Sequence, residues 1–265
     1  MLPFIDVFGF RLASYGTLIV LGTAAGVLIA VVRSPVLGVS RTDIFYACIY
    51  ALIGTAAGAK LLYIATALPD IVHAFDTGKF GIKDIVALLT GGFVFYGGLI
   101  GAIAGIFVYA KKYQIDFWRI TDTVTPSIPL IHAVGRLGCF CAGCCYGKEF
   151  PPPLGVLFDR SPYAPHGITL FPVQLFESLI CIMIFVFLLV FARKKRRGGV
   201  ISGTYILCYT AARFALEYFR MDEARGFLLN LSVSQWISVF LAGAAVLLIV
   251  RPFIGKSEKN KKMFR

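Results

Sequence analysis

The chain has 265 residues, 58% of them hydrophobic and only 15% charged, where soluble domains run at roughly 45–50% apolar and about a quarter charged. That balance excludes an ordinary soluble enzyme and points to an all-α polytopic membrane protein. The net charge of +12, from 26 Lys and Arg against 14 Asp and Glu, falls in short runs beside apolar spans, the pattern of cytoplasmic loops rather than of a nucleic-acid surface.

A transmembrane helix needs about 20 mostly apolar residues. Leu12 to Val32 meets this between Arg11 and Arg33. It is too long for a signal-peptide core and follows Asp6 rather than a basic run, so no cleavable signal peptide is expected. A second span runs from about Ile44 to Leu68 and contains Lys60. Residues 69–84 read as an exposed loop with a short interfacial helix. The third span, Ile85 to Ala110, is interrupted by Gly91-Gly92 and Gly97-Gly98, where paired glycines either unwind a helix or bring it close to a neighbour. Gly97, Gly101 and Gly105 recur every four residues, a stripe suited to helix packing.

The basic loop Lys111 to Arg119 leads into a fourth span, about Ile120 to Gly147. A proline-rich loop, 148–171, follows. The fifth span covers Pro172 to Ala192 and ends in Arg193-Lys-Lys-Arg-Arg197. The sixth covers Gly199 to Phe219, and the seventh Leu231 to Val250, before a basic tail. There is no repeat of 20–50 residues and no soluble domain, so 1–265 is expected to be a single integral membrane domain.

Basic residues sort the loops. Segments 33–43, 111–119, 193–197 and 251–265 hold 16 Lys and Arg, against 7 in 1–11, 69–84, 148–171 and 220–230. The positive-inside rule then gives seven helices, amino terminus outside, carboxyl terminus cytoplasmic, with small extracytoplasmic loops. The end of the fourth span lies toward the outer face.

That span carries the densest chemistry, from His132 to Lys148. Ionisable groups inside a bilayer are costly and mark functional sites. Arg136 offers a rigid, permanently charged fork for phosphate or carboxylate, and His132 lies one turn earlier on the same helical face. Arg213, Glu217 and Arg220 follow helical spacing in the sixth span, and Gln174 and Glu177 sit a turn apart near the outer start of the fifth. Arginines and glutamates directed at one cavity suit an anionic lipid headgroup, with the carboxylates as orienters or bases; the plain alternative is that Arg213 and Glu217 merely neutralise each other.

Of seven cysteines, Cys48, Cys181 and Cys208 lie singly in apolar spans, as small hydrophobes. Cys139, Cys141, Cys144 and Cys145 admit a soft metal, a disulfide on the outer face, or simple packing near a helix end. The spacing matches no familiar zinc framework, so packing leads and no residue is assigned to a metal. Two other classes compete with an enzyme: a membrane thiol or metal-binding protein using these cysteines, and a transporter, in which broken helices and buried charge also occur.

Several runs together resemble one family. Gly135-Arg-Leu-Gly-Cys-Phe-Cys-Ala-Gly-Cys-Cys-Tyr-Gly147 resembles the signature of phosphatidylglycerol–prolipoprotein diacylglyceryl transferases. Gly91-Gly-Phe-Val-Phe-Tyr-Gly-Gly-Leu-Ile-Gly101, Phe171-Pro-Val-Gln-Leu-Phe-Glu177 and Arg213-Phe-Ala-Leu-Glu-Tyr-Phe-Arg220 resemble three further segments, and Tyr15-Gly16 and Ser232-Val-Ser-Gln-Trp-Ile-Ser238 also fit, all in family order. The resemblance implies a multi-pass enzyme of the bacterial cytoplasmic (inner) membrane, with membrane lipids around it and an outward-facing lipid cavity. It would move the diacylglyceryl group of phosphatidylglycerol onto the lipobox cysteine of a prolipoprotein signal peptide, releasing glycerol phosphate, without a cofactor or nucleic acid. A relative with a different acceptor is the near alternative.

By position, Arg136 and Arg213 hold the phosphate and stabilise its developing charge. Gly147 lets backbone approach the lipid. Tyr15, Gln174, Glu177 and Glu217 orient groups, and Gly97, Gly98, Cys139 and Arg220 join the substrate-binding set. The chain departs from the family at Tyr96, where a His is usual, and at Cys139 and Cys144, where Asn and Glu are usual. Tyrosine, with a pKa near 10, donates hydrogen bonds well but is a poor base at neutral pH. Either Tyr96 only positions, or the base is His132, Glu177 or Glu217. The loop 148–171 is also short beside the family's outer head.

Overall fold

The computed structural model describes residues 2–7, 9–78, 81–220, 227–229 and 231–263. Most of the expected 220–230 loop, and the last two residues of the basic tail, lie outside the described residues. The helices are α1 (Ser14–Arg33), α2 (Arg41–Asp76), α3 (Ile82–Thr90), α4 (Phe95–Lys112), α5 (Phe117–Val124), α6 (Ile128–Ala142), α7 (Val173–Phe191), α8 (Val200–Leu216) and α9 (Val233–Met263). Three short antiparallel hairpins accompany them: β1 (Phe4–Val7) with β2 (Phe10–Ala13), β3 (Val156–Leu157) with β4 (Thr169–Leu170), and β5 (Phe227–Leu228) with β6 (Leu231–Ser232). Two compact units result, Met1–Gly38 with Thr121–Arg265, and Val39–Ile120.

Among the described residues, four helical stretches are long and apolar enough to cross a membrane: Ser14–Leu37, Arg41–Asp76, Val173–Phe191 and Val233–Arg251. Their apolar side chains point outward, as Leu21, Leu28, Leu61, Phe240 and Leu247 show, which suits a surface solvated by lipid. The other three expected spans are shorter or divided. The third splits into α3 and α4 at residues 91–94, where the paired glycines stand. The fourth splits because Pro126 and Pro129 lack the N–H that a continuous helix needs, so a 3-10 turn at Thr125–Ser127 intervenes. The sixth is α8, 17 residues, extended by a 3-10 turn at Glu217–Phe219. The expected loop at 69–84 begins instead as helix: α2 runs through Pro69 to Asp76, about 54 Å at 1.5 Å per residue.

In the unit Val39–Ile120, Ser40 caps α2 by accepting from the Asp43 N–H at 3.0 Å. Helices α2 and α4 close on each other through glycines. A side chain on Gly58 would meet the Gly97 carbonyl, one on Gly101 the Gly54 carbonyl, and one on Gly105 the Tyr50 carbonyl. The four-residue stripe is thus a backbone-to-backbone packing seam. Lys60 explains how the chain tolerates the break beside it: its ammonium donates to the Gly91 carbonyl at 2.9 Å, and the Val94 N–H donates to the Ala59 carbonyl at 3.2 Å. Backbone groups freed by unwinding are satisfied inside the unit, as a low-dielectric setting demands.

In the other unit, α1 lies on α6 where Gly22 faces Val134 and Gly26 faces the Ile131 side chain. Ser178 of α7 donates to the Ala133 carbonyl of α6 at 3.0 Å. Helices α7 and α8 share a core of Ile184, Leu188, Ala192 and Ile201, and α9 reaches α8 at Gly203. Asp122 holds the start of α8 from another segment, accepting from the N–H groups of Gly199 (2.8 Å) and Ser202 (2.9 Å) and from the Ser202 hydroxyl (2.7 Å). A carboxylate there satisfies orphan donors and complements the helix dipole.

Candidate active site

Helix α6 ends at Gly143, whose left-handed φ of 74° is one that glycine adopts without penalty. Its N–H and that of Cys144 both donate to the Cys139 carbonyl, at 2.9 and 3.1 Å. The chain then turns back through isolated bridge pairings at Gly147 and Glu149. The Gly147 N–H donates to the Phe171 carbonyl at 2.9 Å and the Lys148 N–H to the Phe219 carbonyl at 3.0 Å, with Gly147 paired to Arg220. A side chain at Gly147 would strike the Phe219 and Phe171 carbonyls and Val173. Its bareness therefore serves the protein's own close-packed backbone, a role that spacing alone did not reveal. This segment ties the end of α6 to the residues just before α7 and just after α8, and Arg220 comes within 3.9 Å of Glu177 on α7.

At the centre stands Glu177, 2% exposed. One oxygen lies 3.2 Å from Nε2 of His132, the other 3.0 Å from Nε of Arg136. Arg220 approaches the second oxygen at 3.9 Å, and the Tyr209 hydroxyl donates to the first at 3.5 Å. Nε2 of His132 is also 3.3 Å from Nε of Arg136. Nε2 accepts from the Arg136 Nε–H while facing the Glu177 carboxylate, so the imidazole is held between the two side chains. His132 packs against the Tyr209 ring at 5.2 Å.

Arg136 is thereby anchored by Nε alone. Its outer N–H groups have no partner among the described residues, and the side chain is 17% exposed. A guanidinium fixed at one edge, with its fork open, is a ready receptor for a phosphate oxygen pair.

A second pair stands at the end of α8 and the 3-10 turn that follows it. Arg213 and Glu217 form an ion pair one helical turn apart. Glu217 also accepts from the Ser232 hydroxyl at 2.8 Å, and Arg213 donates to the Ser234 hydroxyl at 3.3 Å. The Ser232 N–H donates to the Gln235 side chain at 2.9 Å. The ion pair is thus also tied to β6 through Ser232 and to the start of α9 through Ser234.

Gln174 is fully buried; its amide donates to the Cys144 carbonyl at 2.7 Å while its own oxygen has no partner. Tyr15, 44% exposed, begins α1 where Gly138 lets the two helices touch. Cys139 is buried at the end of α6.

His132, Arg136, Glu177 and Arg220 are thus gathered into one cluster, with Tyr15, Cys139, Gly147 and Gln174 on the elements that shape it, and Arg213 with Glu217 at the end of α8 and the turn after it. Tyr96, Gly97 and Gly98 belong to the other unit. There Tyr96 is half-exposed with its ring edge-on to Phe95 at 5.7 Å, and Gly97 and Gly98 are buried against Gly58 and Thr55 of α2. Sequence reasoning missed Tyr209, although it lies four residues before Arg213 and eight before Glu217 on one helical face.

The chain matches the family model described as prolipoprotein diacylglyceryl transferase over residues 3–251. A phosphatidylglycerol–prolipoprotein diacylglyceryl transferase of Clostridium tetani is 39% identical over 235 residues, 89% of this chain and 91% of that protein. A protein of Clostridium perfringens named as the second such transferase is 33% identical over 97% of this chain and 98% of its own length. One from Clostridioides difficile is 30% identical over 96% and 95%.

Proposed function

This chain belongs to the prolipoprotein diacylglyceryl transferase family, and we propose that it moves the diacylglyceryl group of phosphatidylglycerol onto the lipobox cysteine thiol of a prolipoprotein. A thioether forms and glycerol phosphate leaves. We place it as one catalytic domain over 1–265 in the bacterial inner membrane, with seven spans, its amino terminus outside and its carboxyl terminus inside. The charge asymmetry of the loops supports this orientation.

One observation carries the reading: Arg136 is fixed through Nε by buried Glu177 while its outer N–H groups meet no partner among the described residues. Such a fork binds the phosphodiester and gains strength as negative charge builds on the departing oxygen, because it was oriented before the reaction began. Arg213, braced by Glu217 and Ser234, is the second phosphate ligand in this reading, and Arg220 supports Glu177. His132, oriented between Glu177 and Arg136, is the general base in this reading. It takes the thiol proton that Tyr96 cannot. Gln174 and Tyr15 orient the lipid, and Cys139 and Gly147 shape the wall behind it. By their match to the family segment alone, Tyr96, Gly97 and Gly98 belong to the substrate-binding set, with the Tyr96 hydroxyl as a positioning donor.

The test is direct. The purified chain in vesicles containing phosphatidylglycerol is given a peptide bearing a lipobox cysteine. The expected result is a peptide mass gain of one diacylglyceryl unit with release of glycerol phosphate. No gain from folded protein, with both substrates present, overturns the reading. Gain with a different thiol peptide only would indicate another acceptor.

A further inference from the structure

The thiols of Cys139, Cys144 and Cys145 converge. Their sulfur atoms all lie within 4.8 Å of one another, although the three residues follow no familiar ligand spacing. Two local features bring this about. The left-handed turn at Gly143 folds the chain back over the end of α6, and Cys145, a non-glycine residue, is itself held at φ 60°. Strain of that kind persists only where the surroundings over-determine it. The Cys144 carbonyl is further tied to α7 by Gln174. Cys141, one residue from the middle of the run, is not part of the group.

The burial is graded. Cys139 is enclosed, Cys144 is half-buried, and Cys145 is exposed. Three sulfurs sealed on one side and open on the other describe a three-ligand metal site with a vacant fourth position. Closed structural zinc sites use four ligands; open ones use three. Soft thiolates select zinc or copper(I) over hard cations, and metal–sulfur bonds of about 2.3 Å need only a small contraction of this triangle.

We propose that Cys139, Cys144 and Cys145 bind one zinc-class cation whose open position takes the acceptor thiol. The second half of this proposal rests on the transferase reading; the first does not. Cys139 stands one helical turn beyond Arg136, on the same face of α6, so the cation neighbours the phosphate fork. The step balances without redox change. The acceptor thiol displaces water from the fourth position and loses its proton, through solvent, to His132. The bound sulfur attacks the glyceryl carbon and forms the S–C bond. The C–O bond breaks with its electron pair going to the phosphate oxygen, and glycerol phosphate leaves. The neutral thioether is a poor ligand and water replaces it. The cation thus lowers the thiol's proton affinity, the task that the family assigns to a His where this chain has Tyr96.

The experiment uses the full chain in detergent, reduced, stripped of metal and titrated with cobalt(II). Expected is one equivalent bound per chain with thiolate-to-cobalt charge-transfer absorption. Cys139→Ser, Cys144→Ser and Cys145→Ser each weaken binding by more than about 100-fold, beyond the loss typical of an outer-shell partner, while Cys141→Ser does not. A lipobox peptide then alters the cobalt spectrum, and its Ser counterpart does not. Absence of charge-transfer absorption in folded wild-type protein overturns the site, as does binding that survives the triple replacement. A disulfide among the three that, once reduced, leaves no metal affinity also overturns it. If a variant fails to fold, chelation of the wild type decides: transfer falls at least about tenfold and zinc restores it. Binding with transfer indifferent to chelation overturns the role of the open position and leaves the site. Binding without any transfer, with or without zinc, defeats the transferase reading instead.

Discussion

Replacing Glu177 with Gln removes one charge and almost no volume from the centre of the cluster. The carboxylate is 2% exposed and contacts His132 at 3.2 Å and Arg136 at 3.0 Å. An amide offers one acceptor oxygen where the carboxylate presents two, and it carries no charge. The amide can still meet His132 through its oxygen or its NH2, so one contact is recoverable and the lost charge is what remains. At an effective dielectric near 20, a contact pair of this kind is worth about 4 kcal/mol, inside the roughly 3–5 kcal/mol typical of breaking a buried pair. Spent wholly on catalysis, about 4 kcal/mol is a roughly thousandfold loss. Part will appear as lower stability, because Arg136 must find water or move. The expected outcome in the vesicle assay is a 10²–10³-fold fall, roughly, in kcat/KM, together with a lower thermal unfolding midpoint in detergent. An activity within about threefold of wild type, with an unchanged midpoint, would mean a cost under about 1 kcal/mol. Glu177 would then not be the anchor of Arg136, and the account of the site would fail.

Arg136→Lys keeps the positive charge but loses both the Nε anchor and the planar fork; transfer is expected to drop by about 10²-fold, the scale of losing one preorganised donor, with little change in unfolding temperature. Gly101→Ala forces a methyl group onto the Gly54 carbonyl, an overpacking that costs about 1–3 kcal/mol, visible as a lowered unfolding midpoint; an unchanged midpoint would show that α2 and α4 are not locked there. Asp122→Ala strips the start of α8 of its acceptor, and about 1 kcal/mol of stability should go with it, measured by the same thermal scan.

Much of the fold is legible in the chain because the bilayer is a severe solvent. Long apolar stretches must become helices in order to satisfy their own backbone, so α1, α2, α7 and α9 are written in Leu12–Val32, Ile44–Leu68, Pro172–Ala192 and Leu231–Val250. Arg213 and Glu217 are also readable, since four residues on one helix face the same way by geometry alone. Pro69 misleads because a proline's lost hydrogen bond can be tolerated within a helix whose remaining turns hold, and α2 continues through it to Asp76.

Contacts between segments are another matter. Glu177 stands 41 residues beyond Arg136 in the numbering, and their meeting depends on how α6 and α7 are rotated about their axes, which no local pattern encodes. Gly147 reads as a place for lipid until the carbonyls of Phe171 and Phe219 are found filling the space. The cysteine run is the sharpest case. Linear spacing argues against a metal framework, yet the turn at Gly143 and the positive φ at Cys145 bring three sulfurs within 4.8 Å. The sequence by itself determined which apolar stretches must be helical and which charges share a helix face, because those follow from hydrophobicity and helical pitch. Only the tertiary structure decided which charges and thiols meet, because helix rotation and a single left-handed turn are set by packing across the whole unit.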